Sequence, residues 1–480
     1  MFVGLLRLGN VELLRRVRGA AAVLFVVALV LLSGEAAAAV PGRRLLLAGF
    51  GARSYWPGQV AVLRIASSPV QRLTLRLFLA GGAGTAAVAP GGRDLPTFGQ
   101  AVTEQVQVRR PLGGRAWLVH IRLGSDWPSG DYVAHLSAPG VSDYAPFVLR
   151  PRRLGSARVL VVEPTNTWQA YNVTAGDSWY LNHAVHVIDL TRPYAGVNVR
   201  GQRVPKGLPD QFFRLDLGFL RWYWRSCFRA DFISDDDLEH VTRPSTLRHY
   251  RLIVIAGHEE YVTSHVYDLI ERYRDEGGNL AFLSANNFFY KVEVSNNTMT
   301  GRTRWRDLGR PEAALIGAQY VGWNESRFPN HPYHVLHTRA ARWLFAGTGL
   351  HDGSRLGHYG VEIDQRDAAS PPNTKVLAAI RNDFGSGKSA EMTIYRQRDA
   401  TVFDAGVLNF AASAHWPQIS RLVTNLWSHL SGEPRQEQPT CSSTPNNRLG
   451  ERRYARNTDR GNGDRESMFE ANPPGPARSR

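Results

Sequence analysis

The run Arg251-Leu252-Ile253-Val254-Ile255-Ala256, followed at once by Gly257-His258-Glu259-Glu260-Tyr261, constrains this chain more than any other segment. An apolar, branched run without polar alternation is what a strand buried on both faces requires, and such strands belong to parallel sheets. A helix follows. Ser264 can cap it, Val266, Leu269, Ile270 and Tyr273 share one face, and Gly277-Gly278 ends it ahead of the apolar stretch 279–283. Strand, helix and strand in that order make a βαβ unit. In open α/β sheets the ligand crevice lies beyond the carboxyl ends of the strands, so the ionisable turn after Ala256 sits where chemistry is expected.

Two further strand ends offer polar groups to the same crevice. Residues 157–163 run into Pro164-Thr165-Asn166-Thr167-Trp168-Gln169-Ala170-Tyr171-Asn172, and 279–283 into Ser284-Ala285-Asn286-Asn287-Phe288-Phe289-Tyr290. In extended backbone, side chains two residues apart point to one side, so His258 and Glu260 can enter one pocket.

Upstream the pattern changes. Between about 43 and 150, short alternating runs such as Val60-Ala61-Val62-Leu63-Arg64-Ile65 and Leu73-Thr74-Leu75-Arg76-Leu77 are broken by Gly and Pro clusters, which predicts a β-sandwich. Pro151-Arg152-Arg153 forms the hinge to the next domain. The predicted fold class is α/β, with an immunoglobulin-like β-sandwich at 40–151 followed by a doubly wound α/β domain at 152–432. Residues 433–480 are rich in Pro, Asn, Arg and Gly and are expected to be a disordered tail.

A chain of 480 residues, 43% hydrophobic, can bury substantial cores and is not a disordered protein. Its formal charge of +15 comes almost wholly from arginine scattered through every segment, without the clustering that a nucleic-acid footprint needs, so no nucleic-acid partner is expected. Residues 1–39 read as a leader. Arg15, Arg16 and Arg18 precede the apolar run 20–32, and Ala36 to Ala39 supply small residues for cleavage. The run is short for a full span, which favours a cleaved signal, with membrane anchoring by residues 20–39 as the alternative. Arg15-Arg16 leaves twin-arginine export open beside the general route. The expected location is periplasmic, extracellular or tethered to the outer face of the membrane.

The chain has two cysteines, Cys227 in a Trp-rich helical stretch and Cys441 in the tail, too few for a disulfide framework. Cys227 is expected to be a structural free thiol, and neither a thiol hydrolase nor a G-x-S-x-G serine hydrolase is indicated. Three other motifs are discounted. His331, His334 and His337 have metal-like spacing but no carboxylate beside them. Gly385-Ser386-Gly387-Lys388-Ser389 lacks the first glycine of a phosphate loop and reads as a hairpin turn, and Asp235-Asp236-Asp237 reads as a helix cap.

The runs Pro164 to Asn172, Ala175-Gly176-Asp177-Ser178-Trp179-Tyr180, Gly257 to Val262 and Ser284 to Tyr290 resemble the C-terminal domain of the N,N-dimethylformamidase large (beta) subunit family, whose runs read roughly PTxTWxAYN, GGxSLY, GHDEYW and SGNxxYW. The resemblance spans about 150–432. Glu259 replaces the usual Asp, Val262 the Trp, and Ala285 the Gly.

The resemblance implies a glutamine-amidotransferase-like α/β domain carrying a mononuclear non-haem Fe(III). The positions that match its ligands are Tyr171, Tyr180 and Glu260. His258 and Asn286 match groups that handle protons or substrate, and Glu391, in the strand-like run 389–395, is a further candidate for the pocket. Phenolate and carboxylate are hard anionic donors suited to a trivalent metal, and three protein ligands leave open positions for a water or an amide carbonyl. The expected function is therefore that of an exported iron amidohydrolase acting on a small N-substituted amide, in a homo-oligomer or with a small partner subunit. The alternative is a non-catalytic cell-envelope binding protein with an inactivated α/β scaffold.

Overall fold

The computed structural model describes residues 45–82, 99–112, 116–324, 329–385 and 387–434, and the backbone of 469–471. The leader 1–39, Cys441 and nearly all of the 433–480 tail lie outside the described residues. No helix among the described residues is long and apolar enough to cross a membrane.

The chain is a mixed α/β protein. Its N-terminal layer holds two sheets. In one, Val60–Ser68 pairs between Leu45–Phe50 and Trp117–Arg122, and the short strand Phe469–Ala471 adds to the latter. In the other, Arg72–Ala80, Gly130–Ala138 and Val141–Leu149 run antiparallel side by side. The period-two alternation explains the packing: Leu63, Leu75, Leu77, Trp117, Val119, Tyr132 and Phe147 point inward to one shared core. Residues on the opposite side of the second sheet, Ala80, Val133 and Val148, join the core of the C-terminal layer instead, beside Phe219 and Leu220. Both layers thus share buried contacts rather than hanging on a loose linker.

The C-terminal layer is built on nine strands. Their order is Asp231–Ser234, Val159–Glu163, Leu252–Ile255, Asn279–Phe282, Ala400–Asp404, Ala390–Gln397, Lys375–Ile380, His331–Val335 and Arg355–Tyr359. The first five are parallel and the remainder antiparallel. Helices cover both faces. Leu160, Val162, Ile253 and Ile255 pack under helix Ser264–Asp275 through Val266, Leu269 and Ile270. Their alternate neighbours Val159, Val161, Leu252 and Val254 pack against helix Pro417–Ser431 through Leu422, Val423 and Leu426. Thr263 caps the first helix through Val266 N, one residue ahead of the expected Ser264. The strands ending at Glu163, Ile255 and Phe282 are neighbours, so their three exits share one edge of the sheet.

Several discounted motifs behave as their local chemistry dictates. Asp237 and Ser234 form a reciprocal capping box on helix Asp235–Glu239. Gly385 and residues 387–389 lie between the antiparallel strands Lys375–Ile380 and Ala390–Gln397, while Ser386 is outside the described residues. His337 Nδ1 lies 2.7 Å from the Val376 carbonyl, and no set of three or more His, Cys, Asp or Glu side chains among the described residues is arranged to hold a metal. Cys227 is a correction. It is disulfide-bonded, so the free thiol expected from its helical context is not what the fold contains.

The acidic cap also fastens the two layers together. Arg53, from the loop after Leu45–Phe50, reaches Asn166 Oδ1 at 2.6 Å, Asp236 Oδ1 at 2.5 Å and Asp235 Oδ1 at 3.4 Å, while Arg150 meets Asp237 at 3.0 Å. Asp235 is buried and also accepts from Thr165 and from Asn166 N. Removing one partner of such a pair strands a buried charge. Arg53→Ala is expected to lower stability by about 3 kcal/mol in urea unfolding.

A second contact across the layers lacks any cation. Asp131, buried in Gly130–Ala138, faces buried Glu163, and Asp131 Oδ2 and both Glu163 carboxyl oxygens have no hydrogen-bond partner. Burial raises both carboxyls, Asp131 up to about 7, so folding favours the protonated form, which supplies the missing donor. The native state then holds more protons than the unfolded chain between about pH 4 and 7, and stability falls as pH rises through that window. Asp131→Asn is expected to raise the melting temperature at about pH 8, by on the order of 1–2 kcal/mol of stability, and to change little at about pH 4.

Candidate active site at the sheet edge

Helix Thr165–Tyr171 begins directly beyond the strand that ends at Glu163, and its last residue, Tyr171, points its hydroxyl at Glu260 Oε2, 2.9 Å away. The chain then turns through Ala175, whose φ is +62°, and returns Tyr180 to the same carboxylate oxygen at 2.6 Å. The two phenol rings stack with centroids 4.0 Å apart. Tyr261, the next residue along from Glu260, places its hydroxyl 2.6 Å from that of Tyr180. Trp168, one turn before Tyr171, goes elsewhere: its indole N–H donates to Asp216 at 3.0 Å within the core.

A clamp holds the loop that carries both tyrosines. Buried Arg192 donates to the backbone carbonyls of Gln169, Thr174, Asp177 and Asp189, at 2.7, 3.1, 2.6 and 3.0 Å. Ser178 adds a bond to the Ala170 carbonyl at 3.1 Å. The 257–261 turn is anchored as closely. Thr167 Oγ1 accepts from Glu260 N, Asn287 Oδ1 from Glu259 N, and Glu260 O from Tyr290 N, at 3.0, 2.9 and 2.8 Å. Gly257 has no room for a side chain, since a Cβ there would collide with Asp216 Oδ1 and Pro164 Cγ.

His258 lies under Tyr171, edge to face at 5.7 Å. Its Nε2 is 3.6 Å from Glu260 Oε2 and 3.5 Å from Glu362 Oε2, while the Asn286 backbone holds the ring. Burial drives the imidazole down to about 3, so it is neutral near pH 7 and keeps a lone pair on Nε2. Asn286, at φ +56°, donates its side-chain N–H to Glu362 Oε2 at 2.8 Å, and its backbone N–H goes to Asp364 at 2.9 Å. Burial raises Glu260 to about 8, with repulsion from Glu362 adding to it, and burial raises Glu362 to about 7.

Acceptors outnumber donors here. Glu260 and Glu362 face each other across His258, and His258 Nε2 and Asn286 Oδ1 are buried without a hydrogen-bond partner. Two carboxylates, three phenol oxygens and two orphaned acceptors are a donor set that a cation fits, and Tyr171, Tyr180 and Glu260 already converge on one point. Tyr171 and Tyr180 are partly exposed, whereas Glu260 and His258 are buried.

Five of the six expected site residues therefore gather: Tyr171, Tyr180, Glu260, His258 and Asn286. Glu391 does not. Its carboxylate pairs with Arg366 at 3.1 Å on the antiparallel side of the sheet, where an arginine satisfies it. The acid that does face His258 is Glu362, which sequence reasoning missed. It opens strand Glu362–Gln365, paired with Gln319–Trp323 in a two-stranded ribbon apart from the main sheet, and no periodicity or motif marks it. Arg192 escaped notice for a similar reason, as one arginine among many.

The chain is thus a mixed α/β protein with carboxylates and phenols gathered at the exits of its parallel strands. Residues 76–421 match the family described as N,N-dimethylformamidase beta subunit-like, C-terminal, and the chain belongs to that family. The match begins inside the N-terminal layer, well before residue 150. Among curated relatives, the N,N-dimethylformamidase beta subunit of Alcaligenes sp is 23% identical over 320 residues, covering 52% of this chain and 42% of that protein. The beta subunit of Paracoccus aminophilus is 23% identical over 331 residues, covering 54% and 43%. The chain thus matches less than half the length of these relatives. A ThuA-like protein from Parabacteroides merdae is a solved structure with 14% identity, covering 46% of this chain and 85% of its own, at a TM-score of 0.28.

The clamp yields a test. Arg192→Ala leaves four carbonyls without their charged donor, and is expected to cost about 3 kcal/mol and to open the 171–192 loop to limited proteolysis. Intact, protease-resistant variant protein would remove the positioning role assigned to Arg192.

Proposed function

We propose that this protein is an amide hydrolase of the dimethylformamidase type, acting on a small N-substituted amide, with a mononuclear Fe(III) held by Tyr171, Tyr180 and Glu260. The observation that carries this reading is the meeting of two phenol hydroxyls on one carboxylate oxygen, at 2.9 and 2.6 Å, in a pocket of unsatisfied acceptors. When bound, the metal would polarise an amide carbonyl and lower the pKa of water, the two tasks of a Lewis acid in acyl transfer.

The chain's own residues supply the rest. Neutral His258 offers Nε2 as a proton acceptor, within 3.6 Å of both carboxylates. Glu362, raised by burial to about 7, can take that proton in its ionised form and, once neutral, return it to the leaving amine. Asn286 orients Glu362 through its N–H and presents Oδ1 to substrate or water. We read the N-terminal layer as an immunoglobulin-like sandwich and the nine-stranded sheet as glutamine-amidotransferase-like, a reading supported by its covered parallel half. Export is supported by the disulfide at Cys227, a bond that persists in oxidising compartments. A partner subunit is suggested by relatives that are themselves named as beta subunits.

Purified protein is expected to hold one iron per chain with a phenolate-to-iron visible band, and to hydrolyse short formamides. Glu260→Ala should lose both the metal and the band. Glu362→Gln should keep the band while kcat falls on the order of 100-fold or more. Colourless protein that hydrolyses no formamide after reconstitution with iron would defeat this proposal and leave the envelope binding protein as the better reading.

A further inference from the structure

Beside the acid cluster lies a cleft of about 560 Å³ whose lining includes Phe289, Arg304, Arg306, Tyr320, Arg366 and Lys388. Tyr320 joins the two. Its ring packs edge-on to Phe289 at 5.1 Å in the cleft wall, while burial, together with the nearby charges of Glu362 and Glu260, raises its hydroxyl. Tyr320 pairs with Asp364 across the ribbon that Glu362 opens, so the cleft wall and the acids share that ribbon.

Its wall is cationic, and the charges are not equally neutralised. Arg304, Arg306 and Arg366 each pair with a carboxylate, namely Asp307 at 2.7 Å, Glu312 at 2.7 Å and Glu391 at 3.1 Å, and none of these acids lines the cleft. Lys388 makes no ion pair with a carboxylate among the described residues. It lies across the bare backbone of Gly322, where a Cβ would come within 3.1 Å of Nζ, so the absence of a side chain at 322 leaves room for the ammonium over the cleft. Two further arginines lie near the acids themselves, where the charge of Arg200 favours ionised Glu362 and that of Arg302 favours ionised Glu260. Arg200 sits over Trp323, the residue paired with Glu362 across the ribbon, and Arg302 lies over Tyr290 and Trp179.

We propose that this cleft is an anion subsite, and that the substrate is an amide whose far end carries a carboxylate, held by Lys388 with the three arginines behind it while the amide reaches the acids past Tyr320. The substrate class rests on the hydrolase reading above; the subsite does not. A carboxylate held in such a cleft gains electrostatic attraction and faster encounter, both of which weaken with salt.

The test separates the two claims. Adipate, a dianion with no amide bond, is titrated by calorimetry into wild type, Lys388→Glu and Lys388→Arg. Binding by wild type and Lys388→Arg, weakened at least tenfold in Lys388→Glu and by about 0.5 M NaCl, is the expected result. In parallel, 6-formamidohexanoate is compared with its methyl ester as a substrate. The acid should exceed the ester at least tenfold in kcat/KM, and Lys388→Glu should abolish that preference. Adipate bound as expected, with neither amide hydrolysed, would overturn the hydrolase reading and keep the subsite. Failure of wild type to bind adipate, or equal use of acid and ester, overturns the subsite.

Discussion

Negative charge buried at the end of parallel strands is the constraint on which this structure turns. Glu163, Asp216, Asp235, Glu259, Glu260, Asp364 and Asp404 are all almost wholly removed from water. Burial of a carboxylate without compensation is costly, and the chain meets that cost in three ways. Arg53 neutralises the group around Asp235. Proton retention serves Asp131 and Glu163, where no cation is near. Around Glu260 the compensation is only partial, since phenol hydroxyls bond one oxygen while neighbouring acceptors stay unpaired. Glu163 and Glu259 also keep unpartnered carboxyl oxygens in the core, so what sets Glu260 apart is the pair of phenols that meet on it.

The same logic explains what the sequence discloses and what it hides. The parallel half of the sheet was legible because strands buried on both faces read as unbroken branched runs, and because the turns after them carry Tyr, His, Glu and Asn at short spacing. Tyr171, Tyr180, His258, Glu260 and Asn286 all sit within a few residues of such a strand or in a motif attached to one. Glu362 is opaque because it enters from a ribbon contributed some hundred residues later, and only the tertiary fold brings its carboxylate to His258. Glu391 misled in the opposite sense. A lone acid in an alternating strand looks available, yet an arginine close by in space claims it.

Charge composition was similarly ambiguous. An excess of arginine spread along a chain says little about partners, because many of these side chains pair locally or bond to backbone carbonyls, as Arg192 does four times over. Which few remain unpaired, and whether they cluster, becomes visible only in three dimensions. The disulfide at Cys227 makes the same point for cysteine, since two residues far apart in sequence gave no framework to read.

Arg53 has one more implication. By gripping Asn166 and the Asp235 cap, the N-terminal layer steadies the first turn of the helix whose last residue is Tyr171. The phenol is thus set in place partly by a segment more than a hundred residues upstream. The two layers are not interchangeable cassettes, and a shortened chain beginning at the hinge would inherit the chemistry's side chains without the brace that aims them.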